Sequence, residues 1–329
     1  MRRTLLAAAL LALLIVLVAL WSLVTGSAGL TVGEAMRALF APGEGRSDVI
    51  LWQVRLPRVV AAVAAGAALG AAGAIMQAVT GNPLAEPGLM GVNAGAAFAV
   101  VLALSVFGVT ASGALTWCAF GGAGATAVLV YAMASAGRGG PTPIRLVLAG
   151  VIVGTFLGAL TTAILLIDSQ TLDAVRFWTA GSLKGRQLAQ ILPVLPYVAA
   201  SLVAALVFAR QFTTLGLGGD VARSIGQNPA LWRAIAAGCV VGLAGSAVSI
   251  AGPLGLVGLV VPHMVRLTLG GGYGRIVPLS ILGAAALTLL ADTAPRALLG
   301  VDLPAGITLA LIGAPFFICL ARSHGAVRG

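Results

Sequence analysis

The sequence predicts an all-α, polytopic membrane protein with about ten transmembrane helices in one domain spanning residues 1–329. Of the 329 residues, 60% are hydrophobic and only 9% are charged, whereas about 25% are charged in a typical soluble domain. The mean hydropathy is +1.08. Ten membrane helices of about 20 residues need about 200 residues, which matches the hydrophobic content of this chain.

Charges, prolines and glycine clusters divide the chain into ten apolar segments. The first follows Arg2 and Arg3 and is longer than the about 7–15 apolar residues of a secretory signal, so we expect a retained helix. The eighth segment contains Pro262 and His263 and spans only 254–268, which predicts a short or broken helix. The segments are 4–24, 59–79, 92–108, 114–135, 146–167, 188–209, 234–251, 254–268, 276–296 and 304–321.

The chain holds 45 glycines, and several recur at a spacing of four residues within the apolar segments. In lipid, such small-residue faces let helix backbones approach closely, so we expect most of these glycines to serve helix packing. The repeated positions are Gly66 and Gly70, Gly150, Gly154 and Gly158, and Gly238 and Gly242.

The positions of the basic residues give a weak indication of topology. An even number of spans places both termini on one side of the membrane. If that side is cytoplasmic, 11 of the 19 basic residues lie inside and 8 lie outside. This small excess favours cytoplasmic termini, and it leaves an outer face that is unusually basic.

Several function classes are excluded by residues that the chain lacks. The net charge of +10 is scattered, without the basic stripe that a nucleic-acid partner requires. The single lysine, Lys184, follows a leucine, so the Gly-Lys-Ser/Thr of a nucleotide-binding loop does not occur. The sequence contains no His-Glu-x-x-His and no Gly-x-Ser-x-Gly, and Cys118, Cys239 and Cys319 are isolated in apolar runs. We therefore expect no catalytic residues, no metal site and no enzyme activity on this chain.

The acidic residues argue against transport driven by an ion gradient. A carboxylate used for ion coupling normally lies within the membrane bundle. Among the nine acidic residues, only Asp292 falls inside an apolar segment. Arg296 follows it by four residues, which favours a local ion pair over a proton relay. An ion-coupled secondary transporter remains the alternative from a different class.

Long strings in the sequence resemble one family. They are QVRLPR at 53–58, QAVTGNPLAEPGLMG at 77–91, AGPLGLVGLVVPHMVR at 251–266, LPAGIT at 303–308 and GAPFF at 313–317. Together they resemble the FecCD permeases, the type II membrane subunits of binding-protein-dependent ABC importers for iron-siderophores, haem and cobalamin. The resemblance extends over about residues 4–322.

The resemblance implies a ten-helix subunit in the cytoplasmic (inner) membrane of a bacterium, with both termini in the cytoplasm. It implies a second permease copy or a paralogous permease, two cytoplasmic ABC ATPase subunits and an extracytoplasmic substrate-binding protein. This chain would carry no cofactor, because ATP and Mg²⁺ would bind to the partner ATPase. The expected cargo is a chelated-iron compound such as a ferric siderophore, and cobalamin or haem is the alternative.

The resemblance places the ATPase-coupling site in the polar stretch 215–233. The Asp-x-Ala and glycine pattern there resembles the family's coupling signature, with aspartate in place of the usual glutamate. Asp220 is expected to cap a short helix, a small Ala222 to allow close docking, and Gly226 to form a turn before a second short helix ending at Pro229. The alternative is an ordinary solvated loop. The predicted coupling residues are Gly219, Asp220, Ala222, Arg223, Gly226 and Pro229.

Basic residues near the outer end of two segments resemble the family's docking site for the binding protein. Arg55 and Arg58 are three residues apart and share one helix face, and Arg296 ends the ninth segment on the same side. Charges there would steer docking of acidic residues. The alternative is that these side chains simply reach toward the membrane interface.

The resemblance also places an inner gate at Asn82, Pro83 and Leu84, where proline interrupts the helix. Two copies of Leu84 across a dimer axis would close the pathway by apolar contact. The alternative role for Asn82 is a helix cap. Gln77 and Asn93 are predicted to line the pathway. His263 lies in a string shared regardless of cargo, so we expect it to pack or to form a hydrogen bond.

Overall fold

The computed structural model describes residues 2–26, 29–136 and 142–325, with side-chain positions for all of these except 143 and 317–325. Its regular elements are helical and no strand occurs among the described residues, which confirms the all-α prediction. The helices are α1 Arg2–Val24, α2 Val32–Phe40, α3 Arg46–Val49, α4 Leu56–Thr80, α5 Val92–Ser105, α6 Ser112–Ser135, α7 Pro143–Ile167, α8 Ser169–Thr179, α9 Leu188–Ile191, α10 Leu195–Val207, α11 Ala209–Gly216, α12 Gly219–Ser224, α13 Pro229–Ala251, α14 Val257–Leu269, α15 Tyr273–Leu298 and α16 Ala305–Gly325.

Six helices of the described chain are long and apolar enough to cross a membrane, and a seventh span is possible if α10 and α11 count as one. One of the six is the continuous helix Arg46–Thr80, in which α3 passes through a π-helical stretch, Ile50–Arg55, into α4. The predicted segment 188–209 differs from a simple span, because α10 and α11 meet at an angle of 57°. Three further apolar helices are shorter, Val92–Ser105, Val257–Leu269 and Ala305–Phe316. Each of the ten predicted segments overlaps one of these helices or the bent pair, and the segment 188–209 begins seven residues before that pair.

Helix α4 lies at the centre of the bundle. Every residue from Ala65 to Val79 is buried, and the run consists mostly of alanine and glycine. Helices α13, α14 and α15 pack around it. Because most side chains on α4 are small, these neighbours approach its backbone, as expected for helix association in lipid.

Glycines of α4 allow very close approaches between helices. A Cβ atom on Gly73 would lie 1.8 Å from the carbonyl oxygen of Gly258 in α14, and one on Gly70 would lie 2.2 Å from the carbonyl oxygen of Ser280 in α15. The predicted role of Gly66 and Gly70 in packing is therefore confirmed. Gly158 and Gly238 have open space around them, so the same role does not hold there.

Two short helices begin inside the bundle, which explains why α5 and α14 are too short to span a membrane. A Cβ on Gly258 would lie 2.9 Å from both the Leu69 carbonyl oxygen and Cδ of Pro87, in the loop before α5. The loop therefore returns to the level of Gly73. Gly73 lies about 10 Å from Thr80 along the axis of α4, because an α-helix rises 1.5 Å per residue. Pro262 lies within α14 and the helix continues through it, so the eighth segment is short, as predicted.

The side chain of Glu86 connects these two re-entrant segments. Its Oε1 accepts a hydrogen bond of 2.7 Å from the backbone N–H of Leu256, the residue before α14. Leu256 has φ +69°, a left-handed conformation that is uncommon for leucine. The carboxylate therefore lies at a helix N-terminus, where negative charge is favoured.

Gly73→Ala is expected to destabilise the fold by about 1–3 kcal/mol or more, because the added methyl group overlaps the backbone of α14. The matched control is Gly238→Ala in α13, where the added Cβ meets nothing within 4 Å and alanine favours the helix by up to about 1 kcal/mol. Thermal unfolding in detergent, followed by circular dichroism, measures both variants. Equal stability of the two would contradict this packing.

Candidate transport pathway and its two ends

At one end of the bundle, a buried carboxylate is shared between two arginines. Asp292 of α15 is fully buried, and its Oδ2 lies 2.8 Å from Nε of Arg58 and 2.7 Å from Nη2 of Arg296. The pairing of Asp292 with Arg296 was predicted from their spacing and is confirmed. Arg58 completes the cluster from α4, so the ion pairs join α4 to α15.

The same cluster holds the end of α1 and the loop after α15. Nη2 of Arg296 donates to Ser22 Oγ at 3.1 Å, and its Nη1 donates to the Thr25 carbonyl oxygen at 3.3 Å. Arg58 Nη2 donates to Asp302 Oδ1 at 2.7 Å. These contacts bring α1, α4, α15 and the segment before α16 together at one point.

A basic cavity opens beside this cluster. Its volume is about 370 Å³, and its lining includes Arg55, Arg58, Arg296, Lys184 and Asp302. Lys184 Nζ lies 3.3 Å from Asp302 Oδ2. Burial acts to raise the pKa of the Asp302 carboxyl, but the hydrogen bond from Arg58 and the ion pair with Lys184 outweigh it and lower that pKa. Asp302 therefore stays ionised at neutral pH.

The predicted docking arginines are not free charges on an exposed rim. Arg55 is 4% exposed and Arg58 is 7% exposed. Arg55 donates to the carbonyl oxygen of Leu23, and Arg58 is held by two carboxylates. The sequence analysis grouped these residues at one end of the bundle but did not reveal their internal partners. Their contact with a binding protein stays a prediction.

At the opposite end of α4, the predicted gate residues form a partly exposed turn. Gly81 ends the helix with φ +61°, and Asn82 Oδ1 accepts a hydrogen bond of 2.9 Å from the N–H of Leu84. Pro83 is half-buried, and Leu84 is 36% exposed. The Asn82 side chain thus shapes the turn after α4 rather than capping a helix N-terminus, and Leu84 is left accessible.

The two residues predicted to line the pathway have different environments. Gln77 is fully buried, donates to the Leu259 carbonyl oxygen at 3.3 Å and accepts from Arg266 Nη2 at 3.2 Å. Its assignment to the pathway lining is therefore wrong, because its amide joins α4 to α14 inside the protein. Asn93 is half-buried at the start of α5, beside Gly88. His263 is buried in α14, as its predicted packing role requires.

The predicted coupling stretch contains α12, which lies at the same end as Leu84. Tyr273 at the start of α15 contacts Gly216 at the end of α11, and Gly216 also faces Ala78 near the end of α4. Asp220 and Arg223 pair across one turn of α12. Gly226 has φ +80° and follows α12, so the predicted glycine turn is present.

Three details of the coupling stretch differ from the prediction. Asp220 does not cap α12, because Gly218 is the N-cap residue and provides no side chain. Ala222 is fully buried, so its small side chain lets α12 pack onto its own chain and is not available for docking. Pro229 does not end a second short helix but begins the long helix α13, which is capped by Asn228.

The surface of α12 shows a feature that the sequence analysis missed. Leu217, Val221 and Ile225 are 66%, 44% and 65% exposed and lie in and around this polar helix. Val221 lies within α12 and Ile225 directly follows it, whereas Leu217 precedes the helix and is separated from it by Gly218, whose φ is +111°. The roles of Lys184, Asp302 and Glu86 were also missed, because their partners are distant in sequence.

Basic residues that the topology prediction assigns to opposite sides of the membrane lie at opposite ends of the bundle. Arg2, Arg3 and Arg275 line one cavity of about 370 Å³ at the α12 end. Arg55, Arg58, Lys184 and Arg296 line the cavity at the other end. The described part of α1 thus begins at the end where α12 lies.

Comparisons with known proteins agree with this architecture. The model of the FecCD transport family matches residues 13–323. The Probable siderophore transport system permease protein YfiZ of Bacillus subtilis is 40% identical over 92% of this chain and 91% of its own length. The Ferric enterobactin transport system permease protein FepD of Escherichia coli is 39% identical over 95% of this chain and 93% of its own.

Similarity also extends to the three-dimensional structure. A solved structure described as a metal-chelate type ABC transporter in an inward-facing conformation has a TM-score of 0.83 to this chain and 27% sequence identity. The match covers 97% of this chain and 99% of the other. The fold is therefore that of a multi-pass ABC importer permease.

Asp292→Asn is expected to destabilise the protein by about 3–5 kcal/mol, because Arg58 and Arg296 would lose the carboxylate that compensates their buried charge. The matched control is Asp173→Asn, which removes an exposed ion pair with Arg176 whose side chains are 71% and 60% exposed. That change should alter stability by less than about 1 kcal/mol. Thermal unfolding of both variants in detergent tests this difference, and similar losses would refute the special role of Asp292.

Proposed function

We propose that this chain, which belongs to the FecCD transport family, is the membrane permease subunit of an ABC importer that carries a ferric siderophore into the bacterial cytoplasm. The chain forms the pathway with a second permease copy or a paralogous permease. Two separate cytoplasmic ATPase subunits supply the energy, with ATP and Mg²⁺ bound to them. An extracytoplasmic binding protein delivers the cargo.

The observation that carries this proposal is the difference between the two ends of the bundle. One end presents a short helix, α12, with exposed Val221 in it and exposed Leu217 and Ile225 on either side of it. The other end presents a basic cavity of about 370 Å³. Apolar side chains on an exposed helix suit a protein partner, and a basic surface suits an acidic one. Two different partners therefore fit at opposite ends, as a binding-protein-dependent importer requires.

The α12 end faces the cytoplasm in this proposal. It carries Arg2, Arg3 and Arg275, and basic residues near span ends favour the cytoplasmic side. The ATPase contacts α12, and its closure on ATP is transmitted to α11 and α13, which adjoin α12 in the chain. Rigid-body movement of packed helices is a common means of switching between states.

The gate of the proposed pathway is Leu84, which lies at the same end and is 36% exposed. In a dimer, two copies of Leu84 meet across the axis and exclude water until the subunits separate. Apolar constrictions of this kind gate by dewetting. The hydrogen bond from Leu84 N–H to Asn82 sets the position of this side chain.

The arginines at the outer end act in this proposal mainly as positioning residues. The cavity contains four cations, Arg55, Arg58, Lys184 and Arg296, whereas Asp292 and Asp302 provide the carboxylates that pair with them. The excess positive charge attracts acidic side chains of the binding protein and raises its rate of association. The internal ion pairs keep α1, α4 and α15 in register beneath that contact.

A ferric siderophore is the proposed cargo because relatives along nearly the whole chain carry siderophore and enterobactin in their names. Cobalamin is the second candidate, since the Cobalamin import system permease protein BtuC of Halobacterium salinarum is 36% identical over 90% of this chain. Uptake into proteoliposomes containing this chain, its ATPase and its binding protein distinguishes the two. Accumulation of ⁵⁵Fe-siderophore with internal ATP supports the proposal, and accumulation of cobalamin alone contradicts the cargo assignment.

Gly226→Val is expected to abolish most ATP-driven uptake while leaving the basal ATPase activity of the assembled complex. Gly226 has φ +80°, a conformation that a β-branched residue rarely adopts, so the turn after α12 must change. The matched control is Gly108→Val in the loop at the opposite end, where φ is +62° and a Cβ likewise meets nothing within 4 Å. Uptake and ATP hydrolysis are measured in the same proteoliposomes. Equal uptake by both variants would refute the role of this turn in coupling.

A further inference from the structure

A second cavity lies at the outer end, within one subunit. Its volume is about 390 Å³, within the range of small-molecule sites. It is formed by α5, α6 and α8 and by the loop after α8, and it adjoins the basic cavity through Lys184 and Gly185, which line both. Nothing in the proposed transport mechanism uses this cavity.

The charge of the cavity wall is uncompensated. Two cations, Lys184 and Arg186, line it, and the residues that line it include no aspartate or glutamate. Lys184 already pairs with Asp302 at 3.3 Å. Arg186 is therefore the positive charge that the cavity leaves without a counterion among the described side chains that line it.

The guanidinium of Arg186 is poorly satisfied. Its Nε atom is enclosed and has no hydrogen-bond partner among the described residues. Burial lowers the pKa of the Arg186 guanidinium to about 10. The carboxylate of Asp302 is already paired with Arg58. An enclosed N–H group without a hydrogen-bond partner is energetically costly, and an anion that accepts from Nε of Arg186 would remove this cost.

Other lining residues suit an apolar or aromatic body. Phe177 and Trp178, both on α8, belong to the lining. Ser112 and Thr116 on the first turns of α6 add hydroxyl groups. The N-cap residue of α6, Ala111, offers no side-chain hydrogen bond to that helix end, so the backbone N–H groups of the first turn also favour a negative charge.

We propose that this cavity is a binding site for a small organic carboxylate, with the carboxylate against Arg186 and its apolar or aromatic body against Phe177 and Trp178. The site lies at the end of the bundle opposite Leu84, and this inference goes beyond the proposed import function. Arg186 binds the anion directly, Lys184 adds long-range attraction, and the aromatic side chains select for an apolar body.

Benzoate is a suitable probe, and benzamide is its neutral analogue of nearly the same shape. The full chain in nanodiscs of zwitterionic lipid, carrying Trp117→Phe in every variant so that Trp178 is the tryptophan beside the cavity, is titrated with each probe, and tryptophan fluorescence reports binding. We expect saturable quenching by benzoate and none by benzamide. Equal quenching by the two, or none by benzoate, would overturn the proposal.

The variant Arg186→Gln is expected to raise the Kd for benzoate at least about tenfold, as loss of a charge-assisted hydrogen bond predicts. The matched control is Arg210→Gln, which removes the same charge from an exposed residue at the α12 end and should change the Kd by less than about twofold. An equal effect of both variants would mean that benzoate responds to net charge alone, and that outcome contradicts the site.

A second variant locates the site even if Arg186→Gln fails to fold. Trp178→Phe keeps the aromatic wall and the cation but removes the reporter, so benzoate-dependent quenching should disappear. Persistent quenching would place benzoate elsewhere. A final comparison measures the Kd for benzoate in nanodiscs that contain phosphatidylglycerol. An unchanged Kd supports a site for a soluble carboxylate, whereas competition by this lipid would assign the cavity to an anionic headgroup.

Discussion

The close contact between α4 and its neighbours is the constraint on which the rest of the structure depends. Gly73 lies against the backbone of Gly258, and Gly70 lies against Ser280. Because no side chain separates these helices at the two glycines, α4 can be buried from Ala65 to Val79 with mostly alanine and glycine. The same contact sets the depth at which α14 begins. It also brings the loop before α5 into the bundle, and thereby places Leu84 and Glu86.

Polar contacts fix both ends of this central helix. At the end that holds the basic cavity, Arg58 joins α4 to Asp292 of α15 at 2.8 Å. At the α12 end, Gln77 joins α4 to α14 through Arg266, whose Nη2 also donates to Tyr273 Oη at 2.7 Å. Buried polar groups are expensive in an apolar bundle unless they are paired, so both clusters hold α4, α14 and α15 in one arrangement. In our account, these helices move together when the ATPase closes on α12.

Much of the fold follows from the sequence, because apolar length and charge position identify the helices directly. The ion pair between Asp292 and Arg296 was predictable from their spacing within one helix. The ion pair of Asp292 with Arg58 and the burial of Gln77 were not, because each depends on which helices are neighbours in space. Residues of α12 differ most from the prediction, since the packing of Ala222 inward is decided by tertiary contacts rather than by local pattern.

The central claim is that α12 forms the contact with the ATPase. The most direct test attaches a benzophenone photocrosslinker to the new thiol of an Ile225→Cys variant. In this variant, Cys118, Cys239 and Cys319 are replaced by serine. The comparison is the same label on Val106→Cys at the other end, where the exposed fraction is 62% against 65% for Ile225. In the assembled complex, our account predicts an ATPase crosslink from position 225 and none from position 106. A crosslink from position 106 alone would contradict the account.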